Sequence, residues 1–326
     1  MKREIPRYLE TPDAPLLLDD PETSRFARRH VFSAKEVEAV NTALAAGRPL
    51  LVRGEPGAGK SQLALAAAVG LGRALVATVV EARTEARDLL WRFDAVRRLA
   101  DAQVLGKERL AGREAGEDPL AEENYLEPGP LWWAFAWQRA ARQAGKAQVA
   151  APAMPQGGDW RNGVVVLLDE IDKADSSVPN GLLGALGDGR FAIPGCETVE
   201  RGGIEPLVIL TTNEERALPD AFLRRCVVLK LRLPTDKQGL LEWLLVRGRA
   251  HFGSYLDEEV MSEAAAKLWQ DRQYYLQRSL APPGGAEYLD LLRVLAERGE
   301  TAKEQLKLLT VVRELLLRKH PDEGHR

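Results

Sequence analysis

The sequence predicts an α/β protein, with a parallel-sheet core followed by an all-helical segment. Three observations predict it. Short apolar runs of strand length end in polar or acidic residues, as in residues 164–169 and 207–213. A glycine-rich turn stands between another such run and an Ala/Leu-rich helical stretch. Strand-like text stops near residue 234, and four helical stretches follow.

Taken in order, residues 1–30 form a polar lead-in containing Pro and Asp, with little periodicity. Ser33 and Glu36 have capping-box spacing ahead of a helix whose apolar stripe is Val37, Val40 and Leu44, ending near Gly47. PLLVRGEPGAGKSQLALAAAVGLG then reads as strand, turn and helix, and ALVATVVEA as a second strand at βαβ spacing. An insertion of about residues 84–160 interrupts the pattern. Within it, EARDLLWRFDAVRRLADAQ predicts one amphipathic helix burying Leu89, Leu90, Phe93, Val96 and Leu99. Residues 107–124 lack pattern and are expected to be an excursion. PGPLWWAFAWQRAARQ predicts a helix started by Pro130, with Trp132, Trp133, Phe135 and Trp137 as core or interface packing residues, partly against a neighbouring subunit, since adjacent Trp132 and Trp133 cannot both face one way.

Beyond the connector at 147–163, VVVLL is a buried-type strand followed by DEIDKAD and the helix of VPNGLLGALGDG. RFAIPGCETVERGG predicts a hairpin turning at Pro194 and Gly195, and LVILTTN a further strand. LPDAFLRR leads into the strand CVVLKLRL, and the four helices complete the pattern, with Tyr274 and Tyr275 as packing residues.

Composition excludes several classes. At 45% hydrophobic and 29% charged, the chain can build a core and is not disordered. A net charge of -3 gives no bulk attraction to nucleic acid or anionic membrane, and no nucleic-acid module is recognisable, so a nucleic-acid partner is not expected. Cys196 and Cys226 form no CxxC pair, and the four histidines (His30, His251, His320, His325) are scattered, which argues against a metal cluster. There is no apolar leader, and no apolar run could span a bilayer. A cytoplasmic setting with reduced thiols is expected.

The chemistry lies in three strand ends. Residues 54–61 fit G-x4-G-K-[ST]: Gly54, Glu55, Pro56, Gly57, Ala58, Gly59, Lys60 and Ser61. Glycines let backbone amides turn in around phosphates, and the following helix N-terminus adds positive potential. Lys60 would reach the β- and γ-phosphates of a nucleotide, Ser61 would ligate Mg²⁺, and Gln62 closes the cofactor-binding set. Asp169, at the end of the apolar strand beside the loop, is the second expected Mg²⁺ ligand. Glu170 is placed to polarise an attacking water. Asn213 would orient that water or the γ-phosphate, with Thr211 and Thr212 as lesser candidates. Arg224 and Arg225 are permanently charged forks suited to phosphate oxygens. If their segment is extended, their side chains point oppositely, so one of the two would face a phosphate.

In this order and spacing the chain resembles an AAA+ ATPase over roughly residues 31–320. Residues 54–61 match Walker A, 164–170 Walker B, Asn213 sensor 1, and Arg224 and Arg225 the arginine finger, with Arg225 implied as the main catalytic arginine and Arg224 as its companion. The opening AVNTALAAGRPLLVRGEPGAGKS, PGPLWWAF and the RFAIPGCETVERGG hairpin look most like the MoxR group. The resemblance implies a P-loop αβα core (31–233) after the lead-in (1–30) and before a helical lid (234–326). It further implies a homo-oligomeric, hexameric ring with ATP at subunit junctions. A protein client or a von Willebrand A-domain partner, remodelled in chaperone-like fashion, would follow. One departure stands out: where the lid usually offers a sensor-2 base, this chain has Ala286 and Glu287, and Arg278 is the nearest candidate. An ATP-gated switch with little turnover, as in bacterial defence clusters, is the alternative reading.

Overall fold

The computed structural model describes residues 8–19, 24–109, 118–193 and 195–318. In the lead-in, Leu16–Leu17 (β1) pairs antiparallel with Arg29–His30 (β2). Strands of two residues are too short to leave a period in the sequence. The helix Ala34–Ala46 (α1) starts on the predicted box: the amide of Ser33 donates to Glu36 Oε2 at 2.6 Å, and the Ser33 Oγ accepts from the Glu36 amide at 3.3 Å. Leu50–Gly54 (β3), Lys60–Leu71 (α2) and Arg73–Val79 (β4) follow as the sequence predicts.

Residues 85–103 do not form the single helix expected. They make a 3-10 turn (Ala86–Leu89), a strand Trp91–Phe93 (β5) and a helix Ala95–Arg109 (α3). The Asp94 carboxylate accepts the Arg97 amide at 2.9 Å and so starts α3 afresh. β5 meanwhile pairs antiparallel with Leu126–Pro128 (β6). Leu89 is buried, whereas Phe93 is 37%, Val96 80% and Leu99 62% exposed, so those three are not core. The PGPLWWAFAWQRAARQ stretch gives two helices in place of the one expected, Pro130–Phe135 (α4) and Trp137–Ala147 (α5), broken at Ala136 (φ -145°, ψ 67°). Trp132, Trp133 and Phe135 are buried, as packing residues should be.

The long strand Asp159–Asp169 (β7) starts earlier than the VVVLL run, because its first residue already pairs with Arg73 across a bulge. Ser177–Asp188 (α6) follows, then the predicted hairpin, Arg190–Phe191 (β8) with Val199–Glu200 (β9). Pro194, at its expected turn, lies outside the described residues. Leu207–Thr212 (β10), the short helix Asp220–Leu223 (α7) and Val227–Leu231 (β11) complete the strand region. The helical lid is Lys237–Phe252 (α8), Glu258–Leu276 (α9), Gly285–Arg298 (α10) and Ala302–Leu316 (α11).

The sheet is parallel, in the order β11-β3-β10-β7-β4. β7 has a strand on each side, which explains why Val164, Val165, Val166, Leu167 and Leu168 are all buried. β4 does not lie beside β3 but crosses over to pair with β7.

The chain falls into two compact units. Ala39–Leu51 and Ala67–Val228 make the body of one; Glu10–Glu38, Val52–Ala66 and Leu229–Arg326 make the other. In the first, the inner faces of β4, β7 and β10 pack with Leu131, Trp132, Phe135 and Phe222. In the second, Leu240, Leu244, Leu268, Tyr288, Leu291 and Leu295 form the helical core. The glycine-rich loop belongs to this second unit.

Candidate functional site

The loop between β3 and α2 is shaped by its glycines. Gly57 has φ +74° and Gly59 φ +90°, where an L side chain is strained. Lys60 opens α2 and is buried; its Nζ donates to the carbonyls of Gly54 (2.7 Å) and Glu55 (2.9 Å). The ammonium is thereby folded back over the loop. Ser61 is exposed, Gln62 half-buried. The Gln62 amide donates to the Arg29 carbonyl at 3.4 Å, and its Oε1 lies 3.5 Å from His30 Nδ1. Pro56 and Ala58 make up the remaining turn, and Glu55 is on the surface.

The acidic group sits on the other compact unit, at the C-terminal ends of β7 and β10. These strands are parallel neighbours, with Leu168 opposite Leu210. One buried hydroxyl ties the group together: Thr211 Oγ1 donates to Asp169 Oδ1 and accepts the Glu170 amide at 2.9 Å. Glu170 has left-handed backbone (φ 61°, ψ 47°), a conformation costing about 1 kcal/mol or more in a non-glycine residue. Its side chain does not cap the turn that follows. Instead Asn213 Nδ2 donates to Glu170 Oε1 at 3.2 Å, and Lys173 Nζ lies 2.5 Å from Glu170 Oε2. That contact holds the Lys173 ammonium above its ordinary range. Asp172 beside them is buried, with Oδ2 accepting the Glu215 amide at 3.0 Å.

A glycine-rich loop feeding a helix is suited to phosphate, and an Asp-Glu pair with an Asn on adjacent strand ends is suited to a cation and a water. A family model described as the AAA domain (dynein-related subfamily) matches residues 49–226, more than half of the chain. The chain belongs to this AAA family. It is an ATP hydrolase by that membership, and it binds nucleotide. No curated protein matches this AAA chain. Among solved structures, it is similar to a crystal structure of a protein provisionally termed an ATPase from Cytophaga hutchinsonii ATCC 33406. The identity is 13%, over 86% of this chain and 79% of that one, with a TM-score of 0.37. A likeness so distant adds nothing to the argument.

In this AAA protein Arg224 and Arg225 are both exposed and follow α7 on a helical turn. Arg224 is in the right-handed helical region (φ -64°, ψ -20°). The segment is therefore not extended, and strand alternation does not choose between the two. The turn forms because the Arg224 amide reaches the Asp220 carbonyl (3.0 Å) and the Arg225 amide the Phe222 carbonyl (3.0 Å). Their common setting is set by Phe222, which is fully buried.

The lid of the AAA protein presents no base at the start of α10. Ala286 is there, its amide donating to the Gly57 carbonyl at 3.2 Å. Glu287 turns back to cap Gly284 at 3.0 Å. Arg278 lies over the Tyr274 ring at 3.6 Å and bonds the Tyr274 carbonyl, so it does not supply the missing base. Sequence reading ranked Thr211 below Asn213 and overlooked Lys173. The signal for Lys173 was available in its i,i+3 spacing from Glu170. Thr211 becomes visible only through the register of β10 on β7.

Proposed function

We propose that the protein is a MoxR-like AAA+ ATPase that hydrolyses Mg-ATP at the subunit junctions of a ring and thereby remodels or activates a partner protein. The observation that carries this reading is the group around Thr211, which aligns Asp169, Glu170 and Asn213 at neighbouring strand ends. Lys60 and the loop amides of residues 54–62 would bind the phosphates. Ser61 and Asp169 offer oxygen donors only, which suits Mg²⁺, a hard cation that would neutralise phosphate charge when bound. Glu170 would take a proton from the attacking water and Asn213 would orient that water. Arg224 and Arg225 would reach the γ-phosphate of a neighbouring subunit. The functional division we assign is a lead-in of residues 1–30, a core of 31–233 and a lid of 234–326. A von Willebrand A-domain protein is the partner class that the MoxR resemblance supports, and the setting is cytoplasmic. Among the described residues no helix is long and apolar enough to cross a membrane.

Replacing Glu170 by Gln tests the reading. The variant should bind ATP as the parent does and lose turnover by about 10²-fold or more. Hydrolysis at the parental rate would remove Glu170 from its role.

A second reading is an ATP-gated switch with little turnover. The contact of Lys173 with Glu170, and Ala286 in place of a base, favour it. Single-turnover hydrolysis with and without a partner separates the two: the switch requires occupancy without appreciable chemistry in either case.

A further inference from the structure

One basic side chain of the lid does reach the phosphate loop. Arg272, near the end of α9, has a side chain only 6% exposed. Its Nη2 donates to Glu55 Oε2 at 2.7 Å, and its Nη1 to the Pro283 carbonyl at 3.1 Å. Pro283 leads into Gly284 and Gly285, the start of α10, which rests on the loop through the bond from Ala286 to Gly57. A Cβ on Gly285 would meet the Trp243 ring at 2.7 Å, so that closeness depends on glycine. One guanidinium thus joins the acid of the loop to the segment lying over it.

Glu55 is otherwise an awkward neighbour for a polyphosphate. Its carboxylate is part of the loop that must receive several negative charges, and like charges within a few ångströms oppose each other strongly in a partly desolvated site. Arginine is suited to cancel it, being permanently charged and rigidly forked. We propose that Arg272 is a positioning residue for the nucleotide: through Glu55 it neutralises the phosphate loop, and through Pro283 it sets the lid segment against that loop. This rests on the nucleotide-site reading above. Arg272 acts through Glu55, so its effect belongs in nucleotide affinity and KM, not in kcat.

The test is a titration of the full chain with ATP and ADP, comparing the parent with Glu55→Gln, Arg272→Met, the double variant and Lys60→Ala. Arg272→Met leaves Glu55 uncompensated and should weaken binding about tenfold or more. Glu55→Gln removes the repulsion and leaves the guanidinium free to face phosphate, so binding should hold or tighten a few-fold. The double variant should return to within about threefold of the parent, and the losses should appear in KM with kcat nearly unchanged. A merely structural arginine would give a loss that Glu55→Gln does not rescue, and that result overturns the proposal. Should Arg272→Met fail to fold, Glu55→Gln decides alone, since Glu55 is 46% exposed and its replacement is tolerable; weaker binding there overturns the proposal. A parent that binds no ATP overturns the underlying nucleotide-site reading as well. A parent that binds ATP, loses it on Lys60→Ala and weakens on Glu55→Gln overturns this inference alone.

Discussion

Lys173 holds Glu170: the ammonium lies 2.5 Å from one carboxylate oxygen while Asn213 holds the other. A carboxylate engaged on both oxygens is poorly placed to accept a proton from water, since both acceptor atoms are already occupied. Lys173→Met should therefore raise the basal kcat of the isolated protein a few-fold, with KM for ATP little changed. Steady-state kinetics check this, and a fall in kcat would show that the ammonium assists the reaction instead.

Thr211 is the hinge pin of the acidic group. Thr211→Val keeps the shape but leaves the Glu170 amide and the Asp169 carboxylate without their shared hydroxyl. Such a loss in a buried place costs about 1–3 kcal/mol. We expect a lowered melting temperature, and a kcat reduced by about tenfold or more as Glu170 loses its fixed backbone. Unchanged kcat in a destabilised variant would confine Thr211 to a folding role.

The two arginines share one helical turn, so the variants must be compared directly. Arg224→Ala and Arg225→Ala should each leave ATP binding intact, and the one that contacts phosphate should lose the greater part of kcat, by about 10³-fold. If the arginine acts between subunits, mixing that variant with Lys60→Ala chains should restore some hydrolysis, because a junction that sets the arginine variant's loop against the Lys60→Ala chain's arginine combines two intact parts. No recovery at any mixing ratio would argue against action between subunits.

Burial sets a pH dependence in the lid unit. It pushes the His251 imidazole down to about 4 from its ordinary 6.5, against a hydrogen bond with the Arg29 backbone that raises it and with the charges of Arg29, Arg293 and Arg247 adding to the lowering. His30 is lowered too, mainly by burial and against the pull of Glu36. The unfolded chain takes up these protons as pH falls through 6.5, while the folded chain resists until about 4 for His251. Stability is thus fully present above 6.5 and declines between 6.5 and 4. Melting temperatures measured from pH 7 to pH 5 should fall, and less steeply for His251→Gln than for the parent. Parallel curves would sink the assignment.

Local patterns made much of this legible in advance. Ser33 and Glu36, the turn at residues 54–61, and the apolar run at 164–168 each carry their signal within a few residues. The stretch 84–99 misled because Leu89, Leu90, Phe93, Val96 and Leu99 have helical spacing, while the pairing of β5 with β6 and the cap at Asp94 decide the local fold. Long-range pairs were the least visible. Nothing near Arg272 points to Glu55, 217 residues away, and the part Thr211 plays depends on which strand β10 joins.

Gly54 closes the P-loop strand with its Cα facing the backbone of β11, where a Cβ would collide with the carbonyl oxygen of Leu231. Any substitution there would push two strands apart before ATP enters the question. A dead Gly54 variant is consequently an ambiguous genetic result, a crowding defect that mimics a loss of phosphate recognition. Lys60, whose side chain can be shortened without pressing on a neighbouring strand, is the cleaner place to switch the protein off.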